Sequence, residues 1–170
     1  MSKNLSKKEV WISTAQLGSG IKKSLIKNIH FEYRHIKDLK PHENIINKNL
    51  NGIIDYTVRN RQIPFPILID RHTGVILDGH HRFNALEILK WDLVQCYTVN
   101  YLSEKNIQVK SGVTGMNITK LDVIKAGMAG KLFSPKSTRH FCKINHQIFS
   151  DRISEMNSLQ FSGDQKKSLF

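Results

Sequence analysis

The sequence predicts an α/β (α+β) domain, a small mixed sheet with packed helices. Short runs rich in β-branched residues alternate with segments of helical period, and turn-forming residues separate them. The chain of 170 residues is 39% hydrophobic and 24% charged, enough apolar material for one core at about the length of one domain.

Residues 1–30 mix Lys, Ser, Gly and Asn with scattered Val10, Trp11, Ile12 and Leu17. They show neither alternation nor a helical face and are expected to form an N-terminal arm. The domain is expected over 31–146. Its first helix is placed at 44–62, where Ile46, Leu50, Ile53, Ile54 and Val58 share one face and Pro64 closes the segment. Residues 66–70 and 74–78 are two short apolar runs around a turn containing Gly74, and read as a hairpin. A second helix starts at His80 or His81, carries Phe83, Leu86 and Leu89, and ends near Trp91. Residues 94–99 form a further strand. Thr119 and Asp122 have capping-box spacing, with Leu121, Ile124 and Met128 following and Gly130 as the stop. A basic stretch, 131–140, comes next, and 147–170 is expected to be a flexible polar tail.

Composition narrows the functional classes. No run of about 18 apolar residues occurs, and residues 1–20 lack an apolar signal core, so a cytoplasmic protein without a membrane partner is expected. Cys96, in an expected strand, and Cys142, in an expected loop, are too few for a disulfide framework and read as reduced thiols. The 26 basic residues against 14 acidic ones give +12, a field that attracts polyanions, nucleotide foremost and nucleic acid less so. Residues 17–23 and 127–131 lack P-loop spacing. His140, Cys142 and His146 do not complete a zinc set, and Trp11 and Trp91 read as packing residues.

The chemistry centres on Asp78-Gly79-His80-His81-Arg82. A strand ending in Asp78, one glycine and a helix opening on two histidines and an arginine make an anion site, because unpaired N–H groups and the positive helix end face the turn. Arg82 can hold two oxygens of a phosphate, and Asp78 can recruit a divalent cation beside it. A plain Asp-Gly turn followed by a solvated basic helix end is the other account, and the residues alone leave both open.

Gly79-His80-His81-Arg82 resembles the Gly-x-x-Arg phosphate-binding motif of the ParB/sulfiredoxin-like superfamily, and Asp-Gly-His-His-Arg is most similar to its free serine kinase branch. Leu39-Lys40-Pro41-His42-Glu43 resembles the segment that supplies that branch's catalytic carboxylate, and Pro135-Lys136-Ser137-Thr138-Arg139-His140 its later basic segment. The resemblance covers roughly Ile36 to His140. A sulfiredoxin would have its catalytic cysteine where His80 stands. Partition-type ParB proteins carry Glu and Arg at the two middle positions and continue into a helix-turn-helix domain, for which the residues after His140 leave little room.

The resemblance implies a kinase that uses ADP or ATP with Mg2+ to phosphorylate free L-serine or a related small hydroxyl compound. It implies Glu43 as the group that orients or deprotonates the hydroxyl, and Asp78 as magnesium ligand or histidine partner. His80 and His81 would donate to phosphate oxygens, with His81 counted among the catalytic groups beside Glu43 and Asp78, and Arg82 would be structural to the phosphate site. Lys136, Ser137, Thr138, Arg139 and His140 would close over the nucleotide or the acceptor's carboxylate. The alternative is a non-catalytic ParB-like module that senses nucleotide, holds DNA or regulates. Oligomeric state is not legible.

Overall fold

The computed structural model describes residues 9–14 and 28–145. The tail expected at 147–170, much of the arm, the glycine-containing stretch 17–23 and His146 lie outside the described residues.

The strands are β1 (Glu9–Ser13), β2 (His30–His35), β3 (Ile67–Asp70), β4 (Ile76–Asp78), β5 (Leu93–Val99), β6 (Ile107–Ser111) and β7 (Thr138–Asn145). The helices are α1 (Leu50–Asn60), α2 (His80–Ile88) and α3 (Lys120–Ala129). One sheet runs β2-β5-β3-β4 and is mixed, the other runs β1-β7-β6 and is antiparallel. In the mixed sheet β3 is parallel to β5 and antiparallel to β4. The parallel pair needs a crossover, and β4 followed by α2 supplies it. The fold class is thus the expected one.

Sequence explains why β3 lies at the centre. Ile67, Leu68 and Ile69 are fully buried, since both faces of the strand are covered and alternation would leave a polar side chain inside. Ile67 and Ile69 pack with Phe83 and Leu86 of α2 and with Ile36, Leu39 and Cys96, and Trp91 lies against this cluster. Leu68 faces the other way, toward Val123 and Ile124 of α3, Ile107 and Cys142. The second sheet therefore closes over the back of the first.

The hairpin, α2, β5 and the capped α3 lie where the sequence puts them. The Thr119 hydroxyl accepts the Asp122 N–H while Asp122 accepts the Thr119 N–H, and Gly130 ends α3 at φ +64°. Gly74, at φ +73°, is forced twice over, because a Cβ there would sit 2.4 Å from the Asp38 carbonyl oxygen.

Two expectations need correction. The helix expected from residue 44 starts later, with a 3-10 turn at Asn47–Asn49 leading into α1. Residues before it are recruited elsewhere: Glu43 bridges to Phe133, and the Asn44 N–H donates to the Phe133 carbonyl at 3.0 Å. Cys142 is in β7, not a loop, paired with Ile107 and fully buried. Both cysteines are buried, and among the described residues neither forms a disulfide. Among the described residues no helix is long and apolar enough to cross a membrane.

Candidate nucleotide and acceptor site

Three segments far apart in sequence line one cavity of about 820 Å³. Glu43 comes from the extended stretch before α1, Asp78 to Arg82 from the β4-to-α2 turn, and Lys136, Thr138, Arg139 and His140 from the entrance to β7. Two parallel bridges hold the first stretch in place, Lys40 to Val75 and Glu43 to Phe133. Ser137 is buried at 3% exposure and is absent from the cavity wall, its carbonyl accepting the Gly112 N–H instead. Ser13, Thr14, Asn44, Ile45, Ile53 and Phe65 complete much of the wall. None of these was expected at the site from sequence, and Ile53 was expected only on the face of the first helix.

The glycine at the centre is required by its backbone and by its neighbour. Gly79 caps α2 at φ +112°, and a Cβ there would lie 2.9 Å from an Arg82 terminal nitrogen. Arg82 does not reach out as an open fork. One terminal nitrogen donates to the Phe65 and Pro66 carbonyls, both at 2.9 Å, and the other to Asp78 Oδ2 at 3.1 Å. Arg82 and Asp78 side chains are only 11% and 18% exposed. Arg82 thus fastens the turn, and the cavity's positive character falls to Lys136 and Arg139, which make no ion pair among the described residues, with the α2 N-terminus.

Magnesium has a thin donor set here. Asp78 gives Oδ2 to Arg82, and among the described residues no three His, Cys, Asp or Glu side chains gather to hold a metal. The described side chains alone do not make a magnesium site, and phosphate oxygens would have to supply most ligands of an ion arriving with a nucleotide.

Glu43 is clamped. Its Oε1 accepts the Lys136 N–H at 2.7 Å, and its Oε2 accepts the Thr138 N–H at 2.8 Å and the Thr138 hydroxyl. Three donors suit an ionised carboxylate. Lys136 holds φ +62°, the backbone bend that aims both N–H groups at one side chain.

Behind Glu43 lies a buried histidine cluster. His42 is fully buried, donates from Nδ1 to the Ile76 carbonyl and places Nε2 2.9 Å from Thr138 Oγ1. Its ring meets those of His80 at 4.6 Å and His140 at 5.8 Å edge to face. His80 Nε2 accepts the His42 backbone N–H at 3.4 Å, so the His80 ring proton resides on Nδ1. His140 Nε2 meets the Tyr101 hydroxyl at 2.8 Å. Burial lowers the His42 pKa to about 4 and that of His140 to about 3, and burial followed by the neighbouring His42 lowers that of His80 well below its ordinary value. All three rings are neutral at pH 7. His81 is different in setting: its Nε2 donates to the Ile46 carbonyl at 3.1 Å, tying α2 to the stretch before α1.

The structure therefore brings Glu43, Asp78, Gly79, His80, His81, Arg82, Lys136, Thr138, Arg139 and His140 around one space and leaves Ser137 out. Behind that wall it buries His42, whose neighbours in Pro41-His42-Glu43 were legible while its own burial was not. A histidine beside a motif acid carries no local sign of what will cover it.

No family model matches the chain. In sequence it is 33% identical over 78 residues to a ParB-like protein of Sulfolobus acidocaldarius, a match covering 46% of this chain and 39% of that one. It is 25% identical over 85 residues to an ATP-dependent L-serine kinase of Desulfurococcus mucosus, covering 48% of this chain and 33% of that one. The matches thus span about a third to two fifths of these curated relatives. In structure it is similar to a free serine kinase in complex with AMP, with TM-score 0.59, 16% identity and coverage of 71% of this chain and 92% of that one. A conserved hypothetical protein from Pyrococcus furiosus aligns with TM-score 0.59 at 15% identity, over 74% of this chain and 98% of the other. At these identities the structural likeness is one of fold.

Proposed function

From a chain that carries the ParB/sulfiredoxin-like fold, we propose a nucleotide-dependent kinase that transfers a phosphoryl group from ATP or ADP to the hydroxyl of free serine or a related small molecule. The observation that carries this reading is the convergence of Glu43, the Asp78-to-Arg82 turn and the Lys136-to-His140 strand entrance on one cavity of about 820 Å³. Phosphates would lie at the α2 N-terminus, where Gly79 keeps the turn compact and Lys136 and Arg139 supply positive charge across the cavity. Glu43, held by three hydrogen bonds, is the carboxylate placed to take the acceptor's proton.

The transfer balances with these groups. The acceptor oxygen bonds to the terminal phosphorus, its proton passes to Glu43, and the phosphorus bond to the bridging oxygen breaks with its electron pair left on the departing nucleotide. His80, kept neutral, contributes a donor without adding a full charge, and His81, hydrogen-bonded to the Ile46 carbonyl, orients the turn.

The test is turnover of purified protein with magnesium and either ATP or ADP over a panel of hydroxyl amino acids. Phosphorylated product that disappears in Glu43→Ala, with nucleotide affinity retained, is the expected result. Absence of product with every donor and acceptor overturns the reading. The ParB-like relative and the +12 charge favour a second one, a module that holds nucleic acid. It requires duplex binding whose affinity falls steeply as salt is raised.

A further inference from the structure

Counting protons along the contacts behind Glu43 leaves one hydrogen bond short. The Ile76 carbonyl can only accept, so His42 Nδ1 carries the proton in that contact, and a neutral ring then has a bare Nε2. That Nε2 is 2.9 Å from Thr138 Oγ1, and the same oxygen is in hydrogen-bond contact with Glu43 Oε2. Both flanking atoms are acceptors while Glu43 is ionised. The Thr138 hydroxyl has a single proton for the two of them. One added proton completes both bonds, whether it settles on His42 or on Glu43.

We propose that His42, Thr138 and Glu43 form a proton relay, with His42 a positioning residue that completes the base acting on the acceptor hydroxyl. It rests on the phosphotransferase reading above. When the acceptor oxygen bonds to phosphorus, its O–H bond breaks and the proton lands on the Glu43 carboxylate. Held on Oε2, it donates to Thr138 Oγ1, whose own proton turns to His42 Nε2. Two hydrogen bonds then stand where one stood before, so proton uptake strengthens the network behind the reacting group. The electron pair of the broken phosphorus–oxygen bond stays on the departing nucleotide, and the relay returns its proton to water when the products leave.

The surroundings favour a proton passed along this line over one passed sideways. His42 is faced by His80 from α2 and His140 from β7, both kept neutral by burial, by Phe133, and from β4 by the Ile76 carbonyl. The charge of Asp78 acts on His80 and His140, and Lys120 lies beyond, over Tyr101. Thr138 alone links the His42 ring nitrogen to a carboxylate in these contacts.

Nitrogen-15 NMR of histidine-labelled full chain at pH 7 tests the relay without any need for turnover. The wild type is expected to show His42 protonated on Nδ1, with an Nε2 resonance between bare and hydrogen-bonded positions. Glu43→Gln, whose amide can donate to Thr138, moves that resonance toward the hydrogen-bonded position, and Thr138→Val moves it to the bare one. An Nε2–H tautomer in the wild type, or an Nε2 resonance indifferent to Glu43→Gln, overturns the relay whatever the enzyme does. Where turnover is present, His42→Asn keeps a donor for Ile76 and removes Nε2. It lowers kcat by about tenfold and leaves the nucleotide KM within about twofold, because the base loses the partner that completes its hydrogen bonds once it has taken the proton. Thr138→Val does the same and Thr138→Ser recovers most of the loss. A kcat unchanged in both His42→Asn and Thr138→Val overturns the relay, while loss of turnover across donors and acceptors with the NMR coupling intact overturns only the kinase reading.

Discussion

Gly79 and Arg82 act as a single device. The guanidinium lies over the glycine because Phe65, Pro66 and Asp78 all take hydrogen bonds from it, and a side chain at 79 would meet it at 2.9 Å. Gly79→Ala therefore carries two costs, the left-handed backbone, about 1–2 kcal/mol, and the displacement of Arg82. Urea unfolding is expected to show more than the backbone cost in the wild type and only that cost in an Arg82→Ala background. Equal losses in both backgrounds would mean that Arg82 moves aside freely. Arg82→Lys is not expected to rescue, since one ammonium cannot reach two carbonyls and a carboxylate in the planar fork arrangement.

At the scale of elements, α3 is set by a four-residue signal and by burial. Thr119 accepts the Asp122 N–H at 3.2 Å, and Thr119→Ala should cost about 1 kcal/mol in chemical denaturation. Leu68→Ala, in a strand buried on both faces, should cost about 2–5 kcal/mol. If the two losses proved equal, β3 would not be the centre of the core. The contrast also explains what could be read from sequence. The capping box, the hairpin around Gly74 and the turn at Gly79 are local, written in residues that touch each other, and they were legible. The start of α1 was not, because Asn44 bonds to Phe133, a partner that no window around residue 44 contains. Strand β2 carries no local signal for a related reason: it is an edge strand, and Phe31 and Tyr33 are exposed, so no buried alternation marks it. Glu43 was legible through its motif. His42 beside it was not, since its meaning comes from Ile76, Thr138 and the rings of His80 and His140, all supplied by the fold.

For the whole molecule, keeping His42 and His140 buried and His80 half-buried as neutral rings makes stability depend on pH. In the unfolded chain each titrates near 6.5, whereas burial holds His42 at about 4 and His140 at about 3 and keeps His80 well below its ordinary value. Between those limits the unfolded chain binds more protons than the folded one, so stability rises with pH. The folded state has its full advantage above pH 6.5 and loses it progressively as pH falls toward 4 and below. Each unit of pKa difference corresponds to about 1.4 kcal/mol, so His42 and His140 together withdraw on the order of several kcal/mol, a large share of a typical domain's stability, and His80 acts in the same direction. Urea midpoints measured from pH 8 to pH 4 should therefore stay level down to about pH 6.5 and then fall steeply. His140→Phe, which removes one titrating ring and frees the Tyr101 hydroxyl, should lower the midpoint at pH 8 yet flatten its fall with acid. A fall that begins only below about pH 5, where carboxylates titrate, would place the acid sensitivity in surface ion pairs and show the histidine cluster to be open to protons in the folded state.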